Sequence, residues 1–258
     1  MCLLILAWRM HPRYPLIVAA NRDEFHERPA APLDRWDDPR GLYAGHDLRA
    51  GGTWLGADAE GRIGIVTNFR ELARPRRNAP SRGGLIPAFF GSGTRPARFL
   101  EDLETDAPGY SGFNLLLGDR EELWYAANRA DRFARPLGPG IYGLSNHFLD
   151  TPWPKLELTR SRFLAQLTAQ ELRAESLFEL LADRTPAPDL PHPDSGFDPD
   201  WELTLSSPFI VHPAFGTRCS TIVLASGSGA VTLRERRFDV EGRTVGETEF
   251  TLNGSPVP

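Results

Sequence analysis

Cys2 follows Met1 directly. Its small side chain permits removal of that methionine, which leaves a cysteine bearing both a thiol and a free α-amine. Together these make a self-contained nucleophile and base. The thiol titrates near ~8.5 and the amine near ~7.7 to 8.0, so at neutral pH an uncharged amine can take the thiol proton without a histidine. On position alone, the plainer reading of Cys2 is a small hydrophobe opening a buried strand. Other polar residues change that balance. Asn21, Arg22, Asp23 and Glu24 follow an apolar run and, taken alone, read as a solvated turn. Beside Cys2, Asp23 can accept a hydrogen bond from the amine or thiol, and Arg22 can favour the thiolate or hold an anionic substrate. Thr67-Asn68-Phe69-Arg70 and Gly143-Leu144-Ser145-Asn146 each close a predicted strand. Asparagine there is ordinarily a turn former, but two such side chains facing Cys2 supply amide donors for an oxyanion.

Gly51-Gly52-Thr53-Trp54-Leu55-Gly56 lacks the Gly-Lys-Ser/Thr ending of a phosphate loop, so its glycines permit either a bulge or a close backbone approach by a ligand. Arg70, Arg74, Arg76, Arg77 and Arg82 crowd one proline-broken loop, either as a solvated charge run or as an anion clamp. Arg218 is a candidate second positive charge at the site, and Cys219 beside it reads as packed in a sheet. No two of the six histidines have a metal spacing, and no CxxCH motif exists for covalent haem attachment. Reversible haem binding is untouched by that test.

These residues need elements to bring them together. Leu3 to Trp8 and Leu16 to Ala20 read as two strands joined by a turn at Arg13, Tyr14 and Pro15, which returns the segment after Ala20 to the neighbourhood of Cys2. Further strands are predicted at Thr53 to Ala57, Ile63 to Thr67, Phe113 to Leu117, Leu123 to Ala127, Ile141 to Leu144, Thr221 to Ala225 and Ala230 to Phe238. Helices are predicted at Pro96 to Leu103 and, as two units, from Pro154 to Leu181, with Leu156, Phe163, Leu164 and Leu167 sharing one face. Thr185 to Asp200, rich in Pro and Asp, reads as an exposed loop, and Asn253 to Pro258 as a frayed end. Strands, then helices, then strands favour an α+β layering over an alternating parallel sheet.

The chain has 258 residues, a net charge of -5 and two cysteines. It is long enough for one sizeable core, and a single domain over 1–258 is expected. The acidic balance gives no reason to expect nucleic acid, and two cysteines are too few for a disulfide scaffold, which fits a reducing, cytoplasmic setting. The apolar start is shorter than a membrane span and is broken by Arg9, His11, Pro12 and Arg13. A lipid-modified cysteine would need an export signal upstream, so none is expected. Lys155 is the only lysine, which reads as codon bias toward arginine.

Taken in order, Met1-Cys2-Leu3, Asn21-Arg22-Asp23-Glu24, Gly51 to Gly56, Thr67 to Arg70, Gly143 to Asn146 and Asp150-Thr151-Pro152-Trp153-Pro154-Lys155 resemble the NRDE family, also called the transport and Golgi organisation protein 2 family. The match runs over nearly the whole chain. That family looks like a branch of the N-terminal nucleophile hydrolases, which implies a four-layer αββα sandwich of two antiparallel sheets between helical layers. A more distant similarity is to the cysteine members that cleave bile-salt amides and penicillin V. By that similarity Cys2 matches the nucleophile, Asn21 and Asp23 an Asn-x-Asp element, Asn68 and Asn146 two asparagines around the oxyanion, and Arg218 a late arginine. Those hydrolases place an arginine just before the Asn-x-Asp element, where this chain has Ala20, with Arg22 falling inside it instead.

The expected activity is hydrolysis of a linear amide or related acyl bond, with no cofactor required. Arg22, Trp54, Arg70, His147 and Trp153 are the candidate substrate-binding residues. The family is also associated with haem trafficking and with lipid or acyl-CoA handling. The alternative is therefore a non-catalytic carrier of haem or another amphipathic metabolite, with Trp54 and Trp153 lining an apolar surface and the Arg70 to Arg82 loop meeting anionic groups.

Overall fold

A computed structural model describes residues 2–38, 41–71, 79–169, 171–187 and 199–254, with Cys2 described as backbone only. The chain opens with a hairpin of β1 (Cys2–Trp8) and β2 (Leu16–Phe25), closed by an Arg9 N–H to Pro15 O bond of 2.6 Å. His11 Nδ1 accepts the N–H groups of Arg13 and Tyr14 inside that turn, both at 3.2 Å. There follow β3 (Ala30–Arg35), β4 (Tyr43–Asp47), β5 (Leu55–Ala57), β6 (Ile63–Asn68), α1 (Leu85–Ser92), α2 (Pro96–Glu104), β7 (Phe113–Gly118), β8 (Leu123–Ala127), β9 (Ala134–Pro136) and β10 (Gly140–Leu144). The chain ends with α3 (Pro154–Leu167), α4 (Ala174–Leu181), α5 (Pro199–Leu205), β11 (Phe215–Ala225), β12 (Ala230–Phe238) and β13 (Thr244–Asn253).

The strands form two antiparallel sheets, one in the order β10-β1-β2-β11-β12-β13 and the other β3-β4-β5-β6-β7-β8-β9. Alternation along the strands sorts their side chains into layers. Leu4, Leu6, Trp8 and Val18 of the first sheet meet Leu55, Ile63, Ile65 and Leu116 of the second between the sheets. Leu3, Ile5, Ile17 and Ala19 turn the other way, onto Leu156, Phe163, Leu177, Phe178 and Leu181 of α3 and α4. On the far side, Leu115 and Leu117 pack under Ile86, Phe89, Phe90 and Leu100 of α1 and α2. The order helix, sheet, sheet, helix is the expected four-layer αββα sandwich, and each fully buried Leu, Ile or Phe contributes about 1.5–3 kcal/mol to it. No helix among the described residues is long and apolar enough to cross a membrane.

Local chemistry starts and stops the helices. Pro154 and Pro96 occupy first helical turns, where no N–H is needed, and Gly93 ends α1 at φ 65°. Three sequence expectations are corrected. Asn21 to Glu24 are not a turn after β2: they are its continuation, Asn21 and Arg22 held between β1 and β11 and Asp23 and Glu24 by β11, with Asn21, Arg22 and Asp23 buried. Leu164 is not on the buried face of α3 but is 49% exposed, while Leu156 and Phe163 are fully covered. The Thr185 to Asp200 loop is cut short by α5; its residues 188–198 lie outside the described residues, as do 255–258 of the predicted frayed end.

Candidate active site

Four strand ends meet at one edge of the molecule. Cys2 opens β1 directly opposite Arg22, with Leu3 opposite Asn21. On the other flank Leu4 faces Leu144, so the antiparallel register brings Asn146 to the level of Cys2. Asn146 adopts φ 58°, a left-handed conformation that asparagine tolerates better than most residues. It stitches the two sheets together there: its Nδ2 donates to the Asn68 main-chain oxygen at 2.9 Å, and its own carbonyl accepts the Arg70 N–H at 2.7 Å. Asn146 is thus first a positioning residue for the end of β6, while the Asn68 side chain is exposed and lines the cavity described below. Behind this segment, buried Asn114 donates to the His147 carbonyl at 2.9 Å, and Tyr125 accepts the Leu149 N–H at 3.1 Å while donating to Asn114 at 2.7 Å. Burial pushes the Tyr125 phenol up to about 12.

Asn21 and Asp23 turn toward the helical layer. Asn21 Nδ2 donates to the carbonyls of Leu181 and Pro208, both at 2.9 Å, and its Oδ1 accepts from Ser220 at 2.6 Å. Its amide therefore ties β2 to α4 and β11. Asp23 Oδ1 accepts the Thr217 hydroxyl at 2.7 Å. Burial raises the Asp23 carboxyl above its ordinary range, against the positive charges of Lys155 and Arg22. Lys155 is itself buried on the first turn of α3, its Nζ donating to the Leu205 carbonyl at 2.7 Å. Codon bias accounts for a sole lysine but not for its burial, and its place directly after Trp153-Pro154 is the sequence signal that marks it.

Arg22 lies on the opposite face. It is 5% exposed, its guanidinium 4.3 Å from the centre of the Trp54 ring and 3.9 Å from both Glu24 and Asp47. Asp47 is held far more closely by Arg28, at 2.7 Å, and accepts the N–H groups of Arg49 and Ala50. Although burial works the other way, those bonds hold its carboxyl below the ordinary range. Around these groups opens a polar cavity of about 320 Å3, lined by Arg22, Asp23, Glu24, Trp54, Asn68 and Arg82 among others. One wall is set by the glycine motif, where at Gly52 the close approach to the backbone is made by the chain itself. A Cβ on Gly52 would lie 2.3 Å from the Gly83 carbonyl carbon, and the Thr53 N–H reaches Gly83 O at 3.0 Å. Gly52 admits another stretch of this same chain.

Arg70, His147 and Trp153 form a neighbouring cluster. Arg70 is ion-paired with Glu202 and sits 5.7 Å from the Trp153 ring centre, so its charge is already met by a carboxylate. His147 shares a 2.8 Å hydrogen bond with Thr151 and stacks near Phe69 and Phe148; burial, then Arg70, lowers its pKa. Trp54 and Trp153 line different cavities and do not form one apolar surface. Arg82 donates to the Gly112 carbonyl, while Arg74, Arg76 and Arg77 lie outside the described residues. Arg70 and Arg82, each bound elsewhere, do not make a common clamp. Arg218 donates from Nη1 to the carbonyls of Phe25, His26 and Arg28 at 3.1–3.4 Å, fastening the loop after β2. Cys219 is buried in β11, as expected. Among the described residues no cluster of three His, Cys, Asp or Glu could hold a metal ion.

Fold and site together define a four-layer αββα protein whose first strand begins with a cysteine paired with Arg22, one of the residues lining a charged cavity. The chain belongs to the Transport and Golgi organisation 2 family, whose model matches residues 1–240. It is 34% identical over 277 residues to the Transport and Golgi organization protein 2 homolog of Bos taurus, covering 98% of this chain and 99% of that protein. The human homolog is 30% identical over 275 residues, with the same coverage. Two solved structures are similar at low identity. One is a Caenorhabditis elegans N-acylethanolamine-hydrolyzing acid amidase ortholog (13% identical, TM-score 0.41, 86% of this chain and 92% of that one). The other is a penicillin V acylase from Agrobacterium tumefaciens (11%, TM-score 0.44, 96% and 90%).

Proposed function

We propose that this protein is an N-terminal-cysteine hydrolase of linear amides or related acyl bonds. The observation that carries the reading is the register of β1. It sets Cys2 opposite Arg22 and level with Asn146, beside a cavity into whose wall Asp23 and Asn68 also enter. In this reading the α-amine of Cys2, freed by loss of Met1, takes the thiol proton as sulfur attacks the acyl carbon. The amine then delivers that proton to the leaving nitrogen, and water resolves the thioester. Asp23 holds the amine, with Lys155 moderating the charge of the buried carboxylate. Asn68 is the oxyanion donor, and Asn146 fixes its position. A cavity of this size suits a small organic acyl group.

The test joins intact mass, thiol labelling and turnover. The expected results are a chain lacking Met1, rapid iodoacetamide labelling of Cys2, and amine release from a panel of N-acyl amides of graded chain length that Cys2→Ala abolishes. Asn68→Ala should cut turnover by about 10² to 10³. Retained Met1, or turnover unchanged in Cys2→Ala, overturns the assignment. A haem carrier on the same fold is the rival, and Arg22 stacked on Trp54 is the feature a flat anionic ligand would use. In that rival the thiolate of Cys2 would be the axial ligand to iron, and the acyl reading is preferred on the register of β1. A saturable Soret shift at micromolar haem would reverse that preference.

A further inference from the structure

Arg22 and Trp54 also form part of a second cavity of about 120 Å3, whose other walls include Arg218, Cys219, Glu235 and Arg237. The sheet register explains why three arginines converge there. Cys219 of β11 lies opposite Arg22 of β2 on one side and opposite Arg237 of β12 on the other, so the three form one row across adjacent strands. Residues in such a row project from the same face of the sheet. A register shift between Thr217 and Cys219 then adds Arg218 to the same place, as bulges do when they re-aim a side chain.

Arg218 spends Nη1 on the carbonyls of Phe25, His26 and Arg28, yet each of the three arginines keeps one nitrogen without an acceptor. Arg22 Nη1, Arg218 Nε and Arg237 Nε are each buried without a hydrogen-bond partner. The nearest carboxylates to Arg22 are 3.9 Å away, and Asp47, one of the two, is held by Arg28. Glu235 is the only carboxyl among the described lining residues, and its Oε1 accepts the Leu33 N–H at 2.8 Å. Burial moves Glu235 toward its neutral form, which offsets less positive charge still. Three guanidinium groups sharing one lining carboxyl are costly in a partly buried wall, and their planar donors match tetrahedral oxyanions.

We propose that this second cavity is an oxyanion-binding subsite that takes a phosphate-sized group, either the free anion or the phosphate of a ligand running past Trp54 into the larger cavity. The proposal does not depend on Cys2 being a nucleophile. Calorimetric titration of the full chain with inorganic phosphate, and separately with glycerol 3-phosphate, in low-salt buffer free of other oxyanions tests it. Saturable binding of at least one of the two is expected, with Arg237→Gln weakening it by about tenfold or more and Arg237→Lys less. Tighter binding of the ester identifies a phosphorylated ligand; equal or tighter binding of phosphate identifies the free anion. Without ligand, Arg237→Gln should melt no lower than wild type, because it removes one of three positive charges that share a single lining carboxyl. Should that variant fail to fold, Gly246→Ala tests the same group, since its Cβ would lie 2.4 Å from Arg237 Nη2 and displace the guanidinium. No saturable binding of either probe up to about 10 mM, or affinity unchanged in both Arg237→Gln and Gly246→Ala, overturns the proposal.

Discussion

Glu235 and Asp23 are carboxyls buried on opposite faces of the same sheet, and in both burial outweighs the nearby positive charges. For Glu235 this has a measurable pH signature. Its folded pKa is raised, so the native protein keeps a proton over a range in which the unfolded chain, with an ordinary glutamate near ~4.3, has lost it. The stability this confers is present below about pH 4.3 and is lost as pH rises through the folded value. Glu235→Gln keeps an acceptor for the Leu33 N–H but does not titrate. Its melting temperature relative to wild type, in phosphate-free buffer, should climb from about pH 4.3 upward and then level off. A difference that stays constant across that range would show that the carboxyl titrates normally. Asp23 is a less clean probe, because Lys155 is buried against the same layer and removing either charge strands the other.

At the scale of elements, the site depends on strands running further than their apolar residues do. The β2 ladder continues through Asn21 and Arg22 between β1 and β11, and through Asp23 and Glu24 along β11 alone, whose pairing satisfies their backbone on that side. Alternation then points Asn21 and Asp23 toward the helices and Arg22 and Glu24 toward the cavity, with Asp23 reaching the cavity wall as well at the strand end. The approach of Gly52 to Gly83 sets the opposite wall. Gly52→Ala would place a methyl against backbone, which cannot rotate away, and should lower stability by about 1–3 kcal/mol in urea titration. Gly84→Ala, where a Cβ meets nothing within 4 Å, is the matched control. Equal midpoints for the two variants would refute the close contact.

For the molecule as a whole, three apolar layers carry the fold and leave the cavity edge polar. Phe163 is fully buried between α3 and the first sheet, while Leu164 beside it points to solvent. Phe163→Ala should therefore cost about 3–5 kcal/mol, and Leu164→Ala no more than about 0.5 kcal/mol. Chemical denaturation of both variants checks the layering, and comparable losses would mean that α3 is rotated from the orientation described. The rim of β13 is finished differently, by cross-strand pairs such as Arg236 with Glu247 at 2.7 Å and Arg234 with Glu249 at 3.0 Å. Charges of that kind protect an edge strand from pairing with other chains.

How much of this was legible in the residues differs by region. Continuous apolar runs such as Leu3 to Trp8 and Leu123 to Ala127 announced their strands, because a strand buried on both faces needs little but Val, Ile, Leu and Ala. The motif order pointed to the family and the layering, and drew Cys2, Asp23, Asn68 and Asn146 into one place. Strands β3, β4, β9 and β13 escaped because they are short or alternate with charge, and only their partners across the sheet make them strands. Side-chain direction was beyond local reading too. Whether Asn21 faces the helices or the cavity, whether Arg70 is open or paired with Glu202, and whether Lys155 is a surface residue or a buried cation depend on contacts up to 199 residues away in the chain. The convergence of Arg22, Arg218 and Arg237 belongs to the same class, since a register across three strands and one bulge put them together.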